Sequence, residues 1–256
     1  MPNGMTALAQ FYQGAPDKPV ILILHGFLQT SGFSTVQRLM DTLVASDYSV
    51  LSPSLSLGID RRKTSLSCEA IHIHSLDEET QEIQTWIKWL KQKNLTQIVL
   101  LGHSFGSLQL LAYQNAHPEP GVIGLILTSL VYVSEHLSAE TLAKVEQAAN
   151  STQPPMPQTY QLAFCKKYPT LPQNYWSYLR WNKAFTTQAV QNLKVPTYVI
   201  IGTQDNRIDT DWLGSLAKEA VMVHGIEGAN HLFDAEHEFD LHNLIEELLQ
   251  ELLNKP

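Results

Sequence analysis

A chain of 256 residues, 44% hydrophobic and 16% charged, can bury one large core, lacks the composition of a disordered protein, and is too short for two ordinary domains of comparable size. Seventeen Lys and Arg against 25 Asp and Glu leave a formal net charge of −8, which argues against nucleic acid or an anionic membrane as the main partner and favours a neutral or cationic small molecule. The N-terminal MPNGMTALAQFYQG lacks a basic segment followed by a long apolar run, and no stretch reaches the roughly 18 apolar residues of a membrane helix, so the expected location is the cytoplasm.

Taken in chain order, short runs rich in Val, Ile and Leu occur at Val20 to Leu24, Tyr48 to Leu51, Gln97 to Leu101, Val122 to Leu127 and Thr197 to Ile201. Their length and lack of alternation predict strands buried on both faces of a parallel sheet. Asp77 to Lys93 carries Ile83, Ile87 and Leu90 at helical spacing, and Ser75 with Glu78 forms the S-x-x-E capping box that opens such a helix. From Leu241 to Leu252 an apolar stripe at i, i+3, i+4, i+7, i+8 and i+11 predicts a closing helix. Alternating strands and helices define an α/β, doubly wound, mostly parallel sheet, whose ligands bind beyond the carboxyl ends of the strands. One interval breaks the alternation. Residues 134–194 contain helical stretches but no convincing buried strand, and Gln153 to Gln158 (QPPMPQ) cannot be regular helix. The expected organisation is an α/β core of residues 1–133 and 195–256 with an inserted helical cap over residues 134–194.

The strongest chemical signal is Gly102-His103-Ser104-Phe105-Gly106, a G-x-S-x-G between the strand-like QIVLL and the helix-like SLQLLAYQNA. A sharp strand-to-helix turn presents the serine in a strained conformation, and the flanking glycines remove side chains that would collide there. A serine hydroxyl is a poor nucleophile until a neighbouring base takes its proton, and histidine is the natural base. Cys68 and Cys165, the only cysteines, stand far apart in no metal or redox spacing and are expected as reduced thiols. His72 and His74 make an H-x-H pair without a third ligand at recognisable spacing. They read as a loop facing solvent or the cap rather than as a metal site. Within the cap, Tyr160, Phe164, Tyr168, Tyr175, Trp176, Tyr178, Trp181 and Phe185 cluster, several at i, i+3 or i+4 spacing. These rings either line an apolar pocket, with Phe164, Trp176 and Trp181 as substrate-binding candidates, or seal the cap onto the core.

Element order and pentapeptide together resemble the α/β-hydrolase superfamily, over nearly the whole chain outside the cap. The resemblance implies an opening hairpin, here reduced to one strand by the short segment before Val20. It implies that His25-Gly26-Phe27, at the end of VILILHGF, and the elbow supply oxyanion donors, the backbone N–H groups of Phe27 and Phe105. The family order Ser, Asp, His points to Asp205 in Gly202-Thr203-Gln204-Asp205 and to His231 in Gly228-Ala229-Asn230-His231. Asp209 and Asp211 remain alternatives for the acid; His224, His237 and His242 also lie late in the chain, the first inside a strand-like run and the others in or at the start of the last helix. The implied activity is cleavage of a small or medium uncharged carboxylic ester through an acyl-enzyme, without metal or organic cofactor, by a monomer or homodimer. Carbon–carbon bond hydrolysis, cofactor-free perhydrolysis and a non-catalytic ligand-binding role are the alternatives on this fold.

Overall fold

The computed structural model describes residues 1–133, 137–152, 154–218 and 220–254. Ser134, the expected start of the insertion, and Gln153, the first residue of the QPPMPQ segment, lie outside the described residues. In chain order the elements are β1 (Leu8–Tyr12), β2 (Val20–Leu24), α1 (Ser34–Ala45), β3 (Ser49–Ser54), α2 (Leu76–Gln92), β4 (Ile98–His103), α3 (Phe105–Ala116) and β5 (Val122–Thr128). There follow α4 (Ala139–Ala149), β6 (Gln158–Leu162), β7 (Cys165–Thr170), α5 (Pro172–Leu179), α6 (Lys183–Gln191), β8 (Thr197–Gly202), α7 (Thr210–Gly214), β9 (Val221–Ile226) and α8 (His237–Asn254).

Seven strands form one sheet in the order β1-β3-β2-β4-β5-β8-β9. All neighbours are parallel except β1, which pairs antiparallel with β3 at the edge. Alternate residues of each buried strand serve opposite layers. Ile21 and Ile23 of β2 join Val99, Leu101 and Ile126 under α1 and α8, which contribute Val36, Leu39, Leu241, Ile245 and Leu248. Leu22 and Leu24 join Leu100, Leu125 and Leu127 on the other face, against Ile83 and Ile87 of α2 and Leu108 and Leu111 of α3. The capping box of α2 is present: Ser75 Oγ accepts from the Glu78 N–H, and the Glu78 carboxylate accepts from the Ser75 N–H. The five apolar runs are strands of this doubly wound sheet, and β3 and β4 each extend two or three residues beyond the run that announces them. Those extra residues bring the chain to the carboxyl edge, where the loops of interest begin.

Two expectations are corrected. Between β5 and β8 the chain is not purely helical, because β6 and β7 form an antiparallel hairpin. Its strands are short and much of β6 is exposed, so they lack the apolar run by which a buried strand is recognised. The cysteines are not free thiols: Cys68 and Cys165, 97 positions apart in the sequence, form a disulfide with Cα atoms 5.3 Å apart. The bond joins the loop between β3 and α2 to the first residue of β7. His72 strengthens the same junction. Its N–H donates to Pro169 O (2.8 Å), its carbonyl accepts from Thr170 Oγ1 (2.7 Å), and its ring stacks on Tyr168 at 4.0 Å.

Candidate active site

The turn from β4 into α3 sets Ser104 at φ 57°, ψ −121°, a backbone region that residues with a Cβ rarely occupy. Neighbouring strands hold it there. Ser104 N–H donates to Thr128 O at the end of β5 (2.8 Å), and Ser107 Oγ donates to the same carbonyl (2.9 Å). Gly106 lets the helix start against β2, since a Cβ on it would lie 2.5 Å from the carbonyl oxygens of Leu24 and His25. Side chains larger than hydrogen are therefore excluded by backbone, which cannot move aside.

The loops after β8 and β9 bring the other two residues to the serine. Asp205 follows β8 in a turn closed by its own N–H on Gly202 O (3.0 Å), and its Oδ1 accepts from Arg207 N–H (2.9 Å). Gly202 carries no side chain because the loop before His231 passes over it: a Cβ would sit 2.2 Å from Ala229 O. Gln204 N–H donates to Ala229 O (2.9 Å), and Ser129 Oγ donates to His231 O (2.9 Å), so three strand ends fix the histidine loop. As a result Ser104 Oγ lies 2.8 Å from His231 Nε2, and His231 Nδ1 lies 2.6 Å from Asp205 Oδ2. With the proton on Nδ1, the imidazole donates to the carboxylate and accepts from the hydroxyl. Asp205 and His231 are both buried.

The alternative acids and bases are placed elsewhere. Asp209 accepts from Asp211 N–H (3.0 Å) to cap α7, and pairs with Lys183. Asp211 is exposed in the first turn of α7. His224 lies within β9, His237 opens α8 beside Asp240, and His242 meets Thr42. Next to the serine, His103 is buried beneath His231, and burial pushes its pKa down to about 3, so it is neutral and adds no charge to the site. His72 and His74 are also buried. The first stacks on Tyr168; the second donates from Nδ1 to Glu79 (2.7 Å) and lies beside Tyr178, both tyrosines belonging to the insertion. Among the described residues no cluster of His, Cys, Asp and Glu has the arrangement of a metal site.

Phe105 is the first residue of α3, so its N–H has no intrahelical partner, and the N–H of Phe27 donates to no acceptor among the described residues. Their rings are 4.7 Å apart. Above Ser104 opens a cavity of about 330 Å³, bordered by Phe27, Phe105 and His231 from the core and by Phe164 from the insertion. Of the three aromatic residues expected to contact substrate, only Phe164 is found on this wall; it is 60% exposed and meets the Phe27 ring edge-on at 5.7 Å. Trp181 is buried against Phe185 and Trp176 packs on the core, so neither faces the cavity. Helical spacing puts successive aromatics of α5 on different sides, which the cluster alone does not resolve. Leu130 to Val133 after β5, Ile208 and Trp212 complete an apolar wall, with Arg207 at its edge. No motif in the sequence marks these residues, although each follows the carboxyl end of a central strand, the position at which such sheets build sites.

A doubly wound parallel sheet whose central strand ends in a strained G-x-S-x-G serine is the framework of an α/β hydrolase. The chain belongs to the alpha/beta hydrolase family, whose model matches residues 21–241. Est1E from Butyrivibrio proteoclasticus, solved with ferulic acid, has the same fold at a TM-score of 0.70 and 18% identity, covering 99% of this chain and 98% of that one. The Paleococcus ferrophilus monoacylglycerol lipase superposes at a TM-score of 0.71 and 17% identity, covering 97% and 100%. Among curated proteins, a 1-acylglycerol-3-phosphate O-acyltransferase of Arabidopsis thaliana is 31% identical over 133 residues. That alignment takes in 50% of this chain and 28% of the plant protein, so the chain spans little more than a quarter of that relative's length.

Proposed function

We propose that the protein hydrolyses a small or medium uncharged carboxylic ester, with Ser104 as nucleophile, His231 as general base and Asp205 orienting the histidine. The observation that carries this reading is the continuous relay from Ser104 Oγ through His231 to Asp205, with links of 2.8 and 2.6 Å. Neutral His231 Nε2 accepts the hydroxyl proton as Oγ bonds to the ester carbonyl carbon. The carbonyl oxygen becomes an oxyanion, stabilised by the N–H groups of Phe27 and Phe105. Collapse breaks the bond to the alkoxy oxygen, which leaves as an alcohol with the proton from His231. Water then attacks acyl-Ser104 by the same route, releasing acid and free serine. Asp205 keeps the imidazole in the required tautomer and stabilises its cation during transfer.

The apolar wall of the cavity suits an acyl chain or aromatic acid, with Phe164 touching it from the insertion. We read residues 134–194 as the cap over the core of residues 1–133 and 195–256. The likeness to the plant O-acyltransferase supports one further reading, acyl transfer from acyl-Ser104 to an alcohol instead of water. The disulfide favours an oxidising compartment over the cytoplasm expected from the sequence; among the described residues no helix is long and apolar enough to cross a membrane.

The deciding experiment compares the parent with Ser104→Ala on p-nitrophenyl esters of increasing chain length and on a fluorophosphonate probe. The variant is expected to lose turnover and labelling while keeping its melting temperature, because one hydroxyl leaves little void. Equal activity in both proteins would remove Ser104 as nucleophile. Added glycerol that diverts product from acid to ester would favour the transfer reading.

A further inference from the structure

The loop from His25 to Gln29 carries the Phe27 N–H, and its shape is not one the chain adopts unaided. Leu28 sits at φ 58°, where a branched side chain is strained unless surrounding bonds impose it. The bonds come from Arg62, in the loop after β3, whose side chain is only 3% exposed. Its Nη2 donates to Gln29 O at 2.6 Å and lies 3.4 Å from His25 Nε2. Nη1 reaches Leu28 O (3.4 Å) and Thr64 O (3.0 Å), and Nε donates to Leu55 O (2.8 Å). Four of the five guanidinium N–H groups thus have a backbone carbonyl acceptor, and the fifth faces the His25 ring.

The rest of the loop is tied as closely. His25 Nδ1 donates to Gly26 O (2.9 Å), while its Nε2 accepts from Leu55 N–H (3.2 Å). Gln29 Oε1 accepts from Gly26 N–H (3.2 Å), and Leu28 O also accepts from Leu66 N–H (3.0 Å). Gly26 is therefore held through both backbone groups, and Leu28 and Gln29 through their carbonyls. Phe27, between them, keeps its N–H without an acceptor among the described residues.

Burying a guanidinium is costly unless its donors are satisfied, and Arg62 makes no direct ion pair among the described residues. Glu79 and Glu82, both buried, supply the nearby negative charge that offsets its burial. A rigid planar fork is what reaches several carbonyls at once, which an ammonium cannot imitate. We propose that Arg62, assisted by the Gln29 side chain, is a positioning residue for oxyanion binding. Its fork fixes residues 25 to 29 so that the Phe27 N–H converges with that of Phe105. This rests on the hydrolase reading above.

The test uses the full chain as parent, Arg62→Lys and Gln29→Ala, with the number of folded sites counted by fluorophosphonate titration so that rates are per competent site. Oxyanion donors act on the transition state more than on bound ester, and small misplacements there cost heavily. Per-site kcat is expected to fall at least about tenfold in Arg62→Lys and several-fold in Gln29→Ala, with KM and the pH midpoint of turnover little changed. Hydrogen exchange of the peptide covering residues 25 to 29 is expected to quicken in Arg62→Lys. Per-site kcat within about twofold of the parent in both variants would overturn the proposal; should Arg62→Lys fail to fold, Gln29→Ala decides it alone. Unchanged exchange protection in folded Arg62→Lys would overturn it as well. A parent without ester turnover or labelling, but with faster loop exchange in the variant, would instead refute the hydrolase reading and leave the brace standing.

Discussion

Asp205 and Asp209 stand four residues apart after the same strand, yet their carboxylates have different work. Asp205 is buried and meets the imidazole of His231, whereas Asp209 caps α7 and pairs with Lys183 at the surface. Asp205→Asn would present an amide to Nδ1 and favour the wrong tautomer of the base. It is expected to lower kcat by about 10³ to 10⁴ while the folded state survives. Asp209→Asn should leave turnover near that of the parent and lower the melting temperature only slightly. Stopped activity in the second variant and retained activity in the first would reverse the assignment. Both kinetics and thermal scans are needed, because loss of activity through unfolding would otherwise imitate loss of the acid.

The hairpin of β6 and β7 is the element through which the insertion meets the cavity. Phe164 at its turn is exposed and touches Phe27, whereas Trp181, just after α5, is buried against Phe185. Phe164→Ala is therefore expected to reorder preference among acyl chain lengths, since one methylene in an apolar pocket is worth about 1–3 kcal/mol, with little change in melting temperature. Trp181→Ala should do the opposite, losing about 3–5 kcal/mol of stability without altering the ranking. A Phe164→Ala enzyme that is merely less stable, with the same ranking, would show that the ring only seals the junction. The disulfide anchors the hairpin one residue beyond Phe164. Cys68→Ser with Cys165→Ser is expected to lower stability by about 2–4 kcal/mol. Reductant should shift the melting temperature of the parent and not that of the double variant; a parent already insensitive to reductant would mean that the thiols are not joined in solution.

Across the whole molecule, buried histidines that the fold keeps neutral contribute to acid sensitivity. Burial lowers the pKa of His25 and His103 to about 3 and that of His72 to about 4, from 6.5. Above pH 6.5 these rings are neutral folded or unfolded and make no difference. Below it the unfolded chain takes up protons that the folded chain refuses, so stability falls as pH drops toward 3 to 4. Each ring contributes a slope of up to about 1.4 kcal/mol per pH unit in that window. Urea midpoints at pH 7.5, 6 and 5 should decline accordingly, and His72→Phe, which preserves the stack on Tyr168, should flatten the decline. A midpoint independent of pH over this range would contradict the buried neutral rings. The parts of this architecture that the chain declares by itself are local ones. Apolar runs, a capping box and an apolar stripe each span one element, and the G-x-S-x-G turn lies wholly between one strand and one helix. Asp205 and His231 are legible through the order of strand ends, since the sheet turns that order into proximity. The disulfide, the cavity wall, the brace from Arg62 and the hairpin carry no comparable signature. The hairpin is local, but its strands are too short and exposed to announce themselves; the others depend on segments tens of residues apart meeting in space: Cys68 with Cys165, Arg62 with Gln29, Phe164 with Phe27. Local spacing and propensity therefore determined the elements and the turn that presents Ser104, while close packing of distant loops at the carboxyl edge of the sheet decided what surrounds them.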